Sequence, residues 1–426
     1  MQPSDKKTLT AVFFIFSLAL ALRLLTGVYL GFNAPPDFDA CGADAVEYEA
    51  LAHSLQKGEG YSLDDHPTAF RAPGYPLFLS LFYTLFGHHF WINKVLLSVI
   101  GALSCVGLFF LVRLLLANDR IATIVGLIMA VFPLQLYYTG HFTSEPLAIF
   151  LNILITIVMV KSLSAPDPKT ALKLCFLAGL LCGYSTLTRS ANLIYPVVLF
   201  GLLFAMQGRS RECLQGLIKG AAIFILGMVL IMAPWAIRNK IVLGKPVLVA
   251  TNGGSTFWGA NNAIVADPRS GHWGGWISTN RLVGESLVKS EFSEVALEKR
   301  EWQEGVTYLK NNPGQIPGLL LGKFLRLMNP VPQSPNRKYV ALIAASTIFF
   351  LPFFIFGIYV AIRQKIFNVL FIPVWAHFLV MLAVTAIFYG TERLRAPYQP
   401  FLMIYTAIGL NFLIEKFFNS KKKFNL

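Results

Sequence analysis

Charge is what this sequence has least of. Asp, Glu, Lys and Arg make up 14% of its 426 residues, where a soluble chain carries about 25%. That shortage excludes a water-covered globular protein of this length. Acid is scarcer than base, with 22 Asp and Glu against 36 Lys and Arg and a formal net charge of +14. The basic excess does not mark a nucleic-acid protein, because most of it sits in short connectors and in the tail Lys421, Lys422 and Lys423. No nucleic-acid partner is expected. Cysteine is rare as well. The five (Cys41, Cys105, Cys175, Cys182 and Cys213) are odd in number, contain no CxxC, and place only Cys41 clearly in a polar loop. That pattern argues against a disulfide framework or a zinc knuckle. Repeats and low-complexity tracts are also absent.

Hydrophobic residues fill the gap, at 55% of the chain with a mean hydropathy of +0.59. They come in repeated runs near the ~20 residues that a helix needs to cross a bilayer. The expected fold class is all-α and polytopic. It has about ten transmembrane helices, interfacial juxtamembrane helices in the first outer loop, and a small extracytoplasmic segment before the last three spans. Candidate spans lie at about 9–30, 92–112, 121–138, 145–161, 172–188, 190–206, 217–235, 338–362, 367–388 and 397–416. The basic start before the first run resembles a signal peptide, but the run is long enough to span and no small-residue cleavage site follows it. Arg23, inside that span, lies close enough to its far end to snorkel or to meet an anion.

Tyr75 to Phe86 is apolar but too short to cross, so it is read as a helix at the interface. Arg113, Arg120, the stretch from Lys161 to Lys173, the stretch from Arg209 to Lys219, Arg363, Lys365 and the tail then all fall on the cytoplasmic side, as the positive-inside rule prefers. Both termini are cytoplasmic in this arrangement. Three units follow: an N-terminal transmembrane module over 1–236 with a first outer loop at 31–91, an extracytoplasmic segment over 237–337, and C-terminal helices with a basic tail over 338–426. The middle segment is rich in Gly, Asn and Trp early and helical from Glu285 to Asn311.

The outer face collects Asp44, Glu47, His53, Arg71, His141, Glu145, Arg189, Arg238, Arg393 and Arg395. Five arginines stand on the side that should be poor in them. Guanidinium groups clustered at headgroup depth suit a phosphate or diphosphate, although each one alone would also serve as a helix anchor. Asp44 and Glu145 both follow the outer end of a span, so a fold can bring them together. Each has a purely structural alternative: Asp44 as the N-cap of a helix over Ala45 to Gln56, Glu145 as a first-turn acid on a helix that Ser144 or Thr143 caps. In the functional reading, one carboxylate removes a proton from an acceptor while the arginines hold a departing phosphate charge. His53 and His141 with Glu145 are the candidate ligands for a divalent metal. No two histidines among His53, His66, His141 and His272 stand four apart, as a strong zinc signal on a helix requires. Trp258, Trp273 and Trp276 suit a sugar or lipid site, or an interfacial belt.

These residues, taken in order, resemble the glycosyltransferase C superfamily, in the branch of protein O-mannosyltransferases and the aminoarabinose transferases that modify lipid A. The resemblance rests on Asp44, Tyr48 and Ala52 after the first span, on Arg71-Ala72-Pro73-Gly74-Tyr75-Pro76 with Leu85-Phe86-Gly87, and on Ser144-Glu145-Pro146. It continues through Leu187-Thr188-Arg189, Pro234-Trp235 with Arg238-Asn239, and Arg393, Arg395 and Pro397 leading to Pro400. It implies an inverting transfer of a sugar from a polyprenyl-phosphate donor to an envelope lipid, glycan or protein acceptor, on the extracytoplasmic face of the plasma (bacterial inner) membrane. It implies Asp44 as catalytic base and Glu145 as supporting acid or metal ligand. Tyr48, Arg71, Arg189, Arg238, Arg393 and Arg395 would bind substrate. The middle segment is shorter than the extracytoplasmic domains of many relatives, and Ala45 replaces the second acid of the eukaryotic protein enzymes, so a lipid or glycan acceptor fits better. Two other classes are weighed. A transporter or flippase of a lipid-linked sugar predicts repeats and polar groups at mid-membrane; an O-antigen ligase or polymerase lacks the early Asp44 loop.

Overall fold

The structure is a computed structural model, and it describes residues 3–36, 42–207, 210–283, 293–331 and 337–424. Cys41, Arg209 and the first residues of the expected Glu285–Asn311 helix lie outside the described residues. Helices dominate because apolar runs in a bilayer must satisfy every backbone N–H and C=O within the segment. In chain order they are α1 (Pro3–Tyr29), α2 (Ala43–Lys57), α3 (Gly74–Phe86), α4 (Phe90–Leu116), α5 (Asp119–Val131), α6 (Pro133–Thr139), α7 (Glu145–Leu163), α8 (Pro168–Thr188), α9 (Tyr195–Gln207) and α10 (Arg211–Leu243). The chain continues through α11 (Gly253–Gly259), α12 (Ala263–Ala266), α13 (Asn280–Val283), α14 (Glu294–Asn311), α15 (Ile316–Met328), α16 (Arg337–Arg363), α17 (Ile372–Ile387), α18 (Glu392–Arg395) and α19 (Gln399–Phe424). The one sheet among the described residues is a hairpin of β1 (Ser62–Leu63) and β2 (His66–Pro67). Its two-residue turn, Asp64 and Asp65, has φ of 49° and 62°, a left-handed pair that matches strand twist and that Asp tolerates.

Nine of the described helices are long and apolar enough to cross a membrane, and the bent pair α5–α6 makes a tenth. The chain is an integral, multi-pass membrane protein. Ion pairs across the bundle decide how the bent pair counts. Arg393 contacts both Asp44 and Glu145, so those two residues share one end of the bundle. Between them α4 crosses once, and the chain must therefore return through α5–α6.

The expected span at 121–138 is in fact broken, with a bend of 55° at Phe132–Pro133. Proline has no N–H, so the helical partner of the Met129 carbonyl is missing. Arg23 supplies it. Instead of snorkelling or meeting an anion, this side chain is 1% exposed and donates to the carbonyls of Met129 (3.4 Å), Ala130 (3.3 Å) and Ala19 (3.1 Å). Gly101 of α4 makes the space, since a Cβ there would overlap the guanidinium.

The interfacial reading of α3 fits its surface. Leu77, Leu81 and Leu85 form an exposed apolar stripe four residues apart, while Tyr75, Leu79 and Tyr83 are buried beneath it. On α2 the buried face is Ala45, Tyr48, Leu51 and Ala52. Val46, between Ala45 and Tyr48, turns outward and is 38% exposed. α10 runs for 33 residues, about 50 Å at 1.5 Å per residue, so its last turns pass beyond the apolar stretch. Between α10 and α16 lie short helices; α11 packs on α14, and Phe257 stacks on Trp302 at 4.3 Å. Glu294 at the start of α14 ties this segment to the first loop by accepting from the Thr68 hydroxyl (2.7 Å) and the Ala69 N–H (2.9 Å).

Filling the space beside Arg23 should be costly. Gly101→Val is expected to destabilise the chain by about 1–3 kcal/mol, the usual range for overpacking, read as a lower midpoint in thermal unfolding of detergent-solubilised protein. An unchanged midpoint would show that Arg23 is not held by this packing.

Candidate active site

Five separate stretches meet at one end of the bundle. The first is α2. Its N-cap is Gly42, with no side-chain cap bond, so Asp44 is not the cap. It stands in the first turn with its carboxylate turned to two arginines, Nη2 of Arg71 at 2.7 Å and Nη2 of Arg393 at 2.9 Å. Arg71 also bridges to Glu47 through Nε. The second stretch follows the hairpin, where the Tyr61 hydroxyl donates to the Arg71 carbonyl at 2.9 Å. Gly74, just beyond, touches the end of α8, where a Cβ would stand 2.6 Å from the Thr188 hydroxyl. Tyr184 of α8 donates to the Gly74 carbonyl at 2.8 Å. That close approach sets Arg71 on the loop side of the same helix end that carries Arg189.

Arg189 is the C-cap of α8, in extended backbone, so its side chain leaves the helix and turns inward. It pairs with Glu145 at 2.8 Å. Glu145 opens α7 with Ser144 before it and Pro146 after it. Neither Ser144 nor Thr143 caps this helix by its side chain: the Thr143 hydroxyl donates to the Tyr138 carbonyl at 3.0 Å. Glu145 is fully buried, and its Oε1 takes both Arg189 and the Arg393 Nε, the latter at 2.5 Å. A carboxylate in the first turn also meets the positive end of the helix. The fifth stretch is α18, where the Thr391 hydroxyl accepts from the Arg393 N–H and fixes the turn that aims this arginine.

Arg393 thus stands between the two carboxylates, Nη2 on Asp44 and Nε on Glu145. Burial opposes its charge, but Glu145 and Asp44 outweigh that and hold its pKa above the usual arginine value. Arg71 shows the same balance, set by burial against Asp44, Tyr48 and Glu47. Tyr48, one turn after Asp44, is 7% exposed and meets Tyr75 edge-on at 5.3 Å. Burial and the Asp44 charge raise its pKa, so the phenol stays protonated. The two carboxylates differ in reach. The Asp44 side chain is 26% exposed and that of Glu145 is 0%.

Two expected site residues stand apart. Arg238 is spent on backbone: it donates to the carbonyls of Thr68 (2.7 Å) and Tyr61 (2.8 Å) and lies over the Trp235 ring at 5.1 Å. It fastens the first loop to α10 and has no carboxylate ion-pair partner among the described residues. Arg395 is buried, donates from Nη1 to the Leu327 carbonyl at 3.0 Å, and leaves Nε and Nη2 without a partner among the described residues. Tyr389 was not anticipated. Burial raises its pKa, and the charges of Arg393, Asp44, Arg189 and Glu145 all act on it. Its place in the chain, four residues before Arg393, is the one clue. Polar groups also continue beneath the site: Asn192 donates to the Ser185 hydroxyl (2.7 Å) and to Asn152 (3.2 Å).

The expected metal ligands do not gather. Glu145 is taken by arginines, and the His141 ring packs on Tyr137 at 4.6 Å. His53 belongs elsewhere, with Glu49 and His88, whose ligand atoms all lie within 4.8 Å of one another. Glu49 and His53 do stand four apart on α2, a pairing that comparison of histidines alone passes over.

A family model described as dolichyl-phosphate-mannose-protein mannosyltransferase matches residues 65–237, which include Arg71, Glu145 and Arg189. The backbone resembles the oligosaccharyltransferase AglB from Archaeoglobus fulgidus, in complex with an inhibitory peptide and a dolichol-phosphate. That match has a TM-score of 0.57 and 14% identity over 100% of this chain and 52% of the other. A second structure of the A. fulgidus oligosaccharyltransferase, with Zn and sulfate, gives 0.55 and 14% over 95% and 49%. At 14% identity this likeness shows a shared fold. The chain spans about half the length of the oligosaccharyltransferases it matches. No curated protein matches it in sequence.

Removing the shared acid should be the costliest single change in the cluster. Glu145→Ala takes away the acid that Arg189 pairs with and leaves Arg393 with Asp44 alone, and a loss of about 3–5 kcal/mol is expected. Glu304→Ala, at a half-exposed surface pair, should change little. Thermal unfolding of both variants checks this, and equal midpoints would refute it.

Proposed function

We propose that this chain is a membrane glycosyltransferase that moves a sugar from a polyprenyl-phosphate-linked donor to an envelope acceptor, a lipid or glycan in preference to a protein. The observation that carries the reading is the convergence of Arg71, Arg189 and Arg393 on a partly exposed Asp44 and a buried Glu145. Each arginine has five N–H donors, and the carboxylates take only part of them. The rest suit phosphate oxygens. AglB, a fold neighbour, is in complex with a dolichol-phosphate, which supports a lipid-linked donor in general terms.

Asp44 is the base because it alone of the two acids can reach an acceptor. In one displacement the acceptor hydroxyl gives its proton to Asp44 and its oxygen bonds to the anomeric carbon. The carbon–oxygen bond to phosphate breaks on the opposite face, and the phosphate oxygen keeps the electron pair. Configuration inverts, and no glycosyl-enzyme is needed. Glu145 is a positioning residue that holds Arg189 and Arg393 where the leaving charge develops. Arg238 positions the loop. A divalent metal could add charge near these carboxylates, although Arg393 already occupies the space between them. The cluster faces the cell exterior or periplasm in this reading, with both termini cytoplasmic.

The test is purified Asp44→Asn beside wild type, assayed for sugar release from a panel of polyprenyl-phosphate sugars. Asp44→Asn should lose roughly 10²–10⁴-fold in kcat, the usual worth of a general base. Arg71→Ala should act mainly on KM for the donor. If Asp44→Asn turns over as wild type does, the base assignment falls. If no donor is consumed but a lipid-linked sugar crosses proteoliposomes, the chain is a transporter.

A further inference from the structure

The first outer loop holds a second cluster that the proposed reaction does not use. Glu49 and His53 lie one turn apart on α2, and His88 comes from the turn between α3 and α4. Glu49 is five residues past Asp44, about 140° round the helix at 100° per residue, so this face looks away from the arginines. His88 Nε2 is bonded to Glu49 Oε1. The rings of His53 and His88 stack at 3.7 Å with planes 6° apart. One hydrogen bond between His88 and Glu49 accounts for two of the three groups. It leaves the imidazole of His53 with no hydrogen-bond partner among the described residues, and it leaves a further polar group unexplained. Tyr83 is completely buried, meets His88 edge-on at 4.8 Å, and is close enough to feel the charge of Glu49. Its hydroxyl has no partner among the described residues. Buried phenols ordinarily find one.

We propose that Glu49, His53 and His88 bind one zinc ion, which fastens α2 to the turn between α3 and α4. Two imidazole nitrogens and one carboxylate oxygen are a zinc-type donor set, and three protein ligands leave a fourth position for water. The ligand atoms already lie within 4.8 Å of one another; modest side-chain rotation brings them to the ~2.0–2.2 Å bond lengths of such a site. The Tyr83 hydroxyl then serves as an outer donor, to the second Glu49 oxygen or to the bound water, the role outer partners play in holding ligands in line. The ion would be structural. It touches no group in the proposed displacement, but it braces the helix that carries Asp44.

The experiment is zinc titration of the full chain, purified in detergent with its affinity tag removed, against a chromogenic chelator. Wild type should hold one zinc per chain. His53→Ala and His88→Ala should each weaken binding by more than the roughly 10–100-fold that loss of an outer partner costs, and Tyr83→Phe should fall within that range. Wild-type protein without stoichiometric zinc, or histidine variants that bind as tightly as wild type, would overturn the proposal. Should the histidine variants fail to fold, cobalt added to wild type decides the matter. Absorption bands of low-symmetry cobalt with imidazole ligands support the site, and the spectrum of free hexaaquo cobalt sinks it. Zinc content is read without any sugar donor, so this result and that of the transferase assay stand apart.

Discussion

One buried carboxylate organises one end of this bundle. Glu145 cannot be ionised at 0% exposure without cations beside it, and it obtains two from opposite directions, Arg189 and Arg393. Those arginines end or begin other helices, so satisfying one acid draws α7, α8 and α18 together. Arg393 carries the constraint on to Asp44, and Asp44 to Arg71. The chain of charges therefore fixes the first loop against the membrane helices, and geometry suited to chemistry arises from the need to leave no buried charge alone.

How much of this was readable in advance depended on the range of the interaction. The spans were legible because the bilayer imposes its thickness on each apolar run separately; the helices fall where such runs predict them. The bend at Pro133 was written locally too, yet what stabilises it was not. Arg23 is 106 residues from Met129, and nothing near it in sequence shows that it would serve a broken helix instead of a headgroup. The candidate site shows the same division. That Asp44, Glu145 and the arginines would lie on one face followed from counting crossings. Which arginine would serve which acid did not, since Arg393 and Glu145 are 248 residues apart.

Arg238 is the instructive case. By residue type and by its place at a span end it looked like its fellow arginines, but the carbonyls of Tyr61 and Thr68 reach it first. A guanidinium serves an exposed carbonyl as readily as a phosphate, and only the path of the hairpin settles which it meets. Likewise, the stacked histidines and Glu49 gather because α3 folds back over α2. Of that trio, only the Glu49–His53 spacing could be read from the chain.

The length of α10 bears on where this site sits relative to the lipid. Its 33 residues outreach the ~30 Å hydrocarbon core, and Arg238, near its C-terminal end, grips the loop that carries Arg71. Glu145 and Arg189 stand on shorter helices, α7 of 19 residues and α8 of 21. A thicker or thinner bilayer will tilt a long helix more readily than it stretches a short one. The loop would then shift against Glu145 and Arg393 as lipid composition changes. The membrane is in this sense a part of the site's geometry, acting through one overlong helix as a gauge of its own thickness.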